Sequence, residues 1–162
     1  TNDYAINMIR KNKTRPTIII ADYQTKGKGR YGNKWISFKG NLFISIFFEI
    51  SFKKSIKKFT FQCCQIVRDS LEKLIKDKIE IKKPNDLLIK KKKLCGILQE
   101  TLIHNKKRYI IVGIGINLIK SPDIKNYSTT YLGRFTNKSI RKSFIYNDIK
   151  KSYEKKFTTK YI

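Results

Sequence analysis

With 162 residues, 40% of them hydrophobic and 12% aromatic, the chain is long enough to bury one core and too apolar to be disordered. Its 37 Lys and Arg against 12 Asp and Glu give a formal charge of +25, but the lysines run from Lys11 to Lys160 without a patterned face, a helix-turn-helix or a zinc spacing, which argues against a dedicated nucleic-acid-binding module. Three cysteines, two of them adjacent, make no disulfide framework, and no apolar run approaches the roughly 18 residues of a membrane span, so a reduced, cytoplasmic protein without a membrane partner is expected.

Asn2 is placed to cap a first helix over 3–11, with Ala5, Met8 and Ile9 on one face. After Pro16 the β-branched run Thr17-Ile18-Ile19-Ile20-Ala21 reads as a buried strand that delivers the chain to Gln24. Residues 25–34 hold three glycines, three lysines and an arginine and read as a flexible basic loop. A second strand is predicted over 42–48. Between 57 and 76, Phe59, Cys63, Ile66, Val67, Leu71, Leu74 and Ile75 recur at three and four, which predicts the longest amphipathic helix. Ile79 and Ile81 then alternate with Lys78, Glu80 and Lys82, turning Lys82 away from the apolar face. Strands over 87–89, 94–102 and 109–118, joined by turns at 90–93 and 104–107, predict an antiparallel meander. A final helix over 139–157 would bury Ile140, Phe144, Ile145, Ile149 and Tyr153. His104, the only histidine, falls in a hairpin position and reads as structural.

The segment Gly27-Lys28-Gly29-Arg30-Tyr31-Gly32 satisfies the spacing of the dinucleotide-binding glycine motif but lacks its context, because the chain continues through Trp35 into a β-rich run instead of opening a helix. A P-loop pattern is absent as well. What remains is chemical: glycines let backbone N–H groups approach an anion, and Lys28 and Arg30 supply charge to a phosphate. Standing alone, the loop is equally readable as a basic surface turn.

It does not stand alone. Residues 27–35 with Gly40-Asn41-Leu42 resemble the biotin protein ligase loop G-R-G-R-x-G-R-x-W followed by G-N-L. Lys82-Lys83-Pro84-Asn85-Asp86-Leu87 is similar to that family's K-W-P-N-D-L, residues 93–100 to K-L-A-G-I-L-x-E, and residues 113–117 to G-x-G-x-N. Four blocks in register over about residues 1–119 carry the resemblance, and Thr1-Asn2 is similar to the end of the family's S-T-N start.

The resemblance implies an α+β fold: a mixed, mostly antiparallel sheet with helices packed on one side, the architecture of class II aminoacyl-tRNA synthetase and biotin ligase cores. Residues 1–162 are expected to be a single biotin/lipoate ligase-type catalytic domain, trimmed at the N-terminus and lacking the small C-terminal β-barrel domain of the family. The implied activity is that of an ATP-dependent, AMP-forming ligase. Biotin and MgATP give biotinyl-5'-adenylate, and biotin then passes to a lysine of a biotin carboxyl carrier domain of a carboxylase; a homodimer is left open. Lys82 and Arg30 are the implied catalytic cations. Thr1, Asn2, Gln24, Lys28, Gly29, Arg30, Lys82, Gly113 and Gly115 are the implied biotin-binding residues, and Gly27, Lys28, Gly29, Arg30, Trp35 and Asn117 the implied adenylate-binding ones. Trp35 reads equally well as a core residue, and Asn85 and Asp86 read as a turn after Pro84, so the Mg²⁺ ligands stay unassigned. The chain departs from the family pattern at Lys28 for Arg, Lys83 for Trp and Cys95 for Ala. The alternatives are a lipoate or octanoate ligase on the same scaffold and a non-enzymatic basic nucleic-acid-binding module.

Overall fold

In the computed structural model, which describes residues 1–158, one six-stranded sheet organises the chain. The strands are β1 (Thr17–Ala21), β2 (Leu42–Ile50), β3 (Glu80–Lys82), β4 (Asp86–Ile89), β5 (Lys92–His104) and β6 (Lys107–Ile116), in the order β1-β2-β6-β5-β4-β3. Every pairing between these strands is antiparallel, and a single isolated bridge from Lys93 to Thr129 is parallel. The expected meander is therefore present, with its two tight turns at Lys90-Lys91 and Asn105-Lys106. All four turn residues have positive φ, the backbone twist that two-residue hairpins favour.

β2 and β6 are interior strands covered on both faces, which explains why their sequences are apolar at almost every position instead of alternating. Leu42, Ile44, Ile46, Phe48 and Ile50 face the main core with Ile110, Val112 and Ile114. There they meet the helices α2 (Ile56–Glu72) and α3 (Lys142–Tyr153) through Phe59, Cys63, Val67, Leu71, Ile145 and Ile149. On the opposite face Phe47, Tyr109 and Ile111 meet Ala5 and Ile9 of the first helix, α1 (Asn2–Arg10). The α+β architecture holds, with one correction: the helices do not all pack on one side, because a sheet apolar on both faces needs cover on both.

Three local readings also change. Thr1, not Asn2, is the N-cap of α1, and Asn2 is a buried residue of its first turn. β1 is an edge strand, and its residues are half-buried or exposed instead of buried. Phe144 stays 50% exposed, while Phe157 beyond α3 packs on Phe48 and Phe59, and Tyr153 of α3 packs on Phe157. The three cysteines are free and buried. Burial pushes the Cys63 and Cys64 thiols up to about 12, so neither is a thiolate at neutral pH.

The α2–α3 contact is closed by a carboxylate. Asp148 of α3 accepts hydrogen bonds from Ser70 Oγ at 2.5 Å and from Lys73 Nζ at 2.7 Å. Burial alone would raise the Asp148 carboxyl, but the bonds from Lys73 and Ser70 and the nearby lysine charges outweigh it and hold the group below its ordinary 3.8. A carboxyl held down in the folded state adds stability above its unfolded value and loses it as pH falls through the lower folded one. The difference in urea-unfolding stability between wild type and Asp148→Asn should thus be complete above about pH 5 and shrink progressively below about pH 4. A difference that stays constant down to about pH 2 would contradict this account.

Candidate active site

A cavity of about 820 Å³ opens on the α1 face of the sheet. Its floor is set by strand register: Gly96 of β5 pairs with Gly115 of β6, and Leu98 pairs with Gly113. A Cβ built on Gly113 would lie 2.6 Å from Asn2 Oδ1, and one on Gly115 would lie 2.5 Å from Trp35 Cε2. At Gly96 it would lie 2.7 Å from Trp35 Cζ3. The three glycines thus leave space that the Asn2 amide and the Trp35 indole occupy. Trp35 Nε1 is buried there with no hydrogen-bond acceptor among the described residues.

At one end of the floor the side chains form a polar relay. Gln24 Nε2 donates to Thr1 Oγ1 at 3.0 Å, the Thr1 and Ser45 hydroxyls lie 2.6 Å apart, Ser45 bonds Asn2 Oδ1, and Asn2 Nδ2 donates to Glu100 Oε2 at 2.6 Å. Each hydroxyl has one proton, so the consistent assignment runs Gln24 to Thr1 to Ser45 to the Asn2 carbonyl. The relay fixes three residues expected at the site, Thr1, Asn2 and Gln24, on elements far apart in the chain. Ser45 escaped the sequence reading because nothing local distinguishes it from an ordinary strand residue, whereas Glu100 is in view as the last residue of the 93–100 block, where the sequence reading assigns it no role.

The basic loop forms the rim and is held in shape by backbone hydrogen bonds. Gly29 N–H donates to Asn33 O at 2.6 Å, Trp35 N–H to Gly27 O at 3.0 Å, and Lys28 bridges Lys34 across the turn. Tyr31 and Gly32 turn the chain with φ of 55° and 77°. The loop contains one 3₁₀ turn, at Arg30–Gly32, and no α-helix, as its sequence context requires. Two of its four cations, Lys28 and Arg30, are latched. Lys28 Nζ contacts Asp3 Oδ1 at 2.7 Å, and the hydrogen bond and charge of Asp3 raise the Lys28 pKa. Arg30 donates to Asn85 Oδ1 at 3.3 Å and to Tyr31 Oη at 2.7 Å, with its guanidinium 4.7 Å from the Tyr31 ring centre.

The remaining wall is the β3–β4 connection. Lys82 pairs with Asp86, which pairs with Gly96, so the three lie in one row across the sheet and Lys82 borders the same cavity as Lys28 and Arg30. Lys82 itself is exposed. Lys93 is better enclosed: its side chain is 18% exposed and its ammonium is 2.9 Å from Asp86 Oδ1. The same ammonium lies 5.6 Å from the Trp35 ring centre and 5.3 Å from that of Tyr127. Simple alternation would have sent Lys93 to the core face with Cys95. A register shift between Leu87 and Leu88 pairs Cys95 and Lys93 with successive residues, which buries both Leu94 and Cys95 and re-aims Lys93 into the cavity. A sequence reading sees the Lys-Leu-Cys-Gly block but not the bulge.

Asn117 is the clear misplacement. It does not line the large cavity; its amide is buried, donating to Thr130 O at 3.1 Å and accepting from Asn41 at 3.4 Å. It reaches only a void of about 10 Å³ behind Trp35. The other expected residues, Gly29, Gly113 and Gly115 among them, line the cavity, and Gly27 supports the rim beneath Trp35. Among the described residues no cluster of His, Cys, Asp and Glu could hold a metal ion, and no helix is long and apolar enough to cross a membrane.

Comparison with known proteins adds to this geometry. The model of the Biotin/lipoate A/B protein ligase family matches residues 1–117. The bifunctional ligase/repressor BirA of Escherichia coli is 36% identical over 121 residues, which cover 73% of this chain and 37% of that protein. The protein of the same description from Bacillus subtilis is 30% identical over 166 residues, covering 97% of this chain and 50% of that one. The chain spans half or less of the length of these curated relatives. A biotin protein ligase from Aquifex aeolicus, solved in complex with biotin and ATP, has 30% identity and a TM-score of 0.75, covering 90% of this chain and 63% of that one.

The glycine floor makes a direct prediction. Gly115→Ala places a methyl inside the contact distance of the only indole in the chain, so Trp35 should be displaced toward solvent. The intrinsic tryptophan emission should shift to the red and become more accessible to acrylamide, with the far-ultraviolet circular dichroism unchanged. Emission identical to wild type would show that Trp35 does not rest on this glycine.

Proposed function

Because the chain belongs to the biotin/lipoate A/B protein ligase family, we propose that it activates biotin with ATP and transfers it to a lysine of a biotin carboxyl carrier domain. The observation that carries this reading is a single cavity with a hydrogen-bonding end, a side-chain-free floor and a cationic end. In the first step a biotin carboxylate oxygen attacks the α-phosphorus of ATP, the bond from that phosphorus to the bridging oxygen breaks, and pyrophosphate leaves with both electrons. In the second, the acceptor amine attacks the acyl carbon, the bond to AMP breaks, and the amine gives up a proton as the amide forms.

Both steps concentrate negative charge on phosphate oxygens, and fixed cations in an enclosed site lower that barrier most. Lys93, held by Asp86 and walled by two aromatic rings, meets that requirement better than the exposed Lys82, so we place Lys93 ahead of Lys82 on the reacting phosphate. Lys82, Lys28 and Arg30 then bind the outer phosphates, with Trp35 and Tyr127 offering faces to adenine. Biotin's ureido group carries one acceptor between two donors, which suits the relay of Thr1, Asn2 and Gln24. A dithiolane ring carries no N–H or C=O to bond with that relay, which disfavours lipoate. Mg²⁺ enters as the ion carried by the ATP phosphates, because the nearby carboxylates Asp3 and Asp86 are already committed to Lys28 and Lys93.

Biotin-dependent exchange of pyrophosphate into ATP tests the first step. Lys93→Ala should slow it by on the order of 10²–10³, and Lys82→Ala by less, since solvent screens the exposed charge. Exchange at the wild-type rate in Lys93→Ala would sink the assignment. Arg30→Gly removes the contacts to Asn85 and Tyr31 that latch the rim, so biotinyl-adenylate should escape early and label bystander proteins. An intermediate retained as long as in wild type would count against that role.

A further inference from the structure

A second hollow, of about 830 Å³, lies behind the wall formed by Lys83, Pro84 and Asn85, between that wall and the first half of α2. Arg30, Lys83, Pro84, Asn85 and Ile97 border both hollows, so the two share an edge at the site of the Arg30–Asn85 contact. Four cations, Arg30, Lys57, Lys58 and Lys83, line the second hollow, and no Asp or Glu does. Lys57 and Lys58 are exposed, and neither they nor Lys83 has an ion-pair partner among the described residues. Between them stands an apolar foothold: Phe61 is 38% exposed, with the Lys83 ammonium 5.8 Å from its ring centre.

These features belong together physically. Cations left without carboxylates around an exposed aromatic side chain attract an anionic polypeptide that also carries apolar groups, and they repel a basic one. A nucleic acid would instead favour a longer basic stripe tracking its phosphates. The reaction itself requires a lysine of another protein to reach the cavity, and this hollow is continuous with its rim. We propose that the groove beside α2 docks an acidic segment of the acceptor protein. Its carboxylates lie against Lys57, Lys58 and Lys83, an apolar side chain rests on Phe61, and its lysine enters the cavity past Arg30 and Asn85. The same cations disfavour the protonated form of that entering lysine and so favour the nucleophilic amine. This inference rests on the ligase reading of the cavity.

The test separates the two. The double variant Lys57→Glu/Lys58→Glu and the conservative Lys57→Arg/Lys58→Arg are compared with wild type, using pyrophosphate exchange for the first step and transfer to a purified biotin carboxyl carrier domain for the second. The glutamate variant should exchange within about twofold of wild type, show a KM for the carrier domain raised by about tenfold or more with kcat little changed, and lose most of the salt dependence of KM. The arginine variant should keep the wild-type KM. Normal exchange with an unchanged KM in the glutamate variant overturns the docking groove and leaves the ligase reading intact. An unchanged KM accompanied by lost binding of a short DNA duplex overturns it in favour of a nucleic-acid site. Absence of biotin-dependent exchange in wild type overturns the ligase reading and the groove with it.

Discussion

The cavity depends on an interruption in side-chain packing at the middle of the sheet. Where β5 and β6 pair, Gly96 faces Gly115 and Leu98 faces Gly113, and any Cβ at the three glycines would collide with Asn2 or Trp35. A sheet with both faces covered normally fills such positions with branched side chains. Here the other face of the same two strands is packed with Ile97, Val112 and Ile114, so the strands stay anchored while one face is left hollow. Rigidity on the core side and vacancy on the site side are two consequences of one alternation.

Charge is distributed under a second constraint, the scarcity of carboxylates. With 12 acidic residues against 37 basic ones, there are too few carboxylates to pair with most cations, and the carboxylates near the site select which cations are held. Asp86 fixes Lys93, Asp3 fixes Lys28, and Glu100 fixes the Asn2 amide at the other end. Those contacts differ in strength. The Lys28–Asp3 pair is exposed and screened, so it holds the loop only weakly. Lys93–Asp86 is mostly enclosed, as suits a charge meant to stay in place.

The proposed reaction follows from this arrangement more than from any single residue. Acyl adenylates hydrolyse readily, so the site needs a cover as well as cations. The rim loop is built for that. Its hairpin bonds give it shape, and long side chains attach it to its surroundings, through the exposed Lys28–Asp3 contact to α1 and the half-buried Arg30–Asn85 contact. The hollow beside α2 shares its edge with that site at Arg30 and Asn85.

Much of the framework was legible in the chain. Periodicity located the helices and strands because it records which side of a local element meets apolar surroundings: Ala5 and Ile9 in α1, and Phe59, Cys63, Val67 and Leu71 in α2, are buried as read. The ordered blocks around Gly27, Lys82, Gly96 and Gly113 pointed to one site through their joint resemblance to a family pattern, because each alone reads equally well as a turn or a basic surface run. Most of the misreadings have a common cause. The second cover that α1 provides, the Asn2 amide engaged by Ser45 and Glu100, and the bond from Asn41 to the withdrawn Asn117 depend on partners dozens of residues away, while the bulge that turns Lys93 inward is a slip of register against the neighbouring strand, Leu87 with Cys95 and Leu88 with Lys93. The sequence by itself determined the elements and the chemical types brought to the site. Only the tertiary structure decided which side chains share a volume, because strand register and the crossing of distant segments set those distances, and neither leaves a local periodic trace.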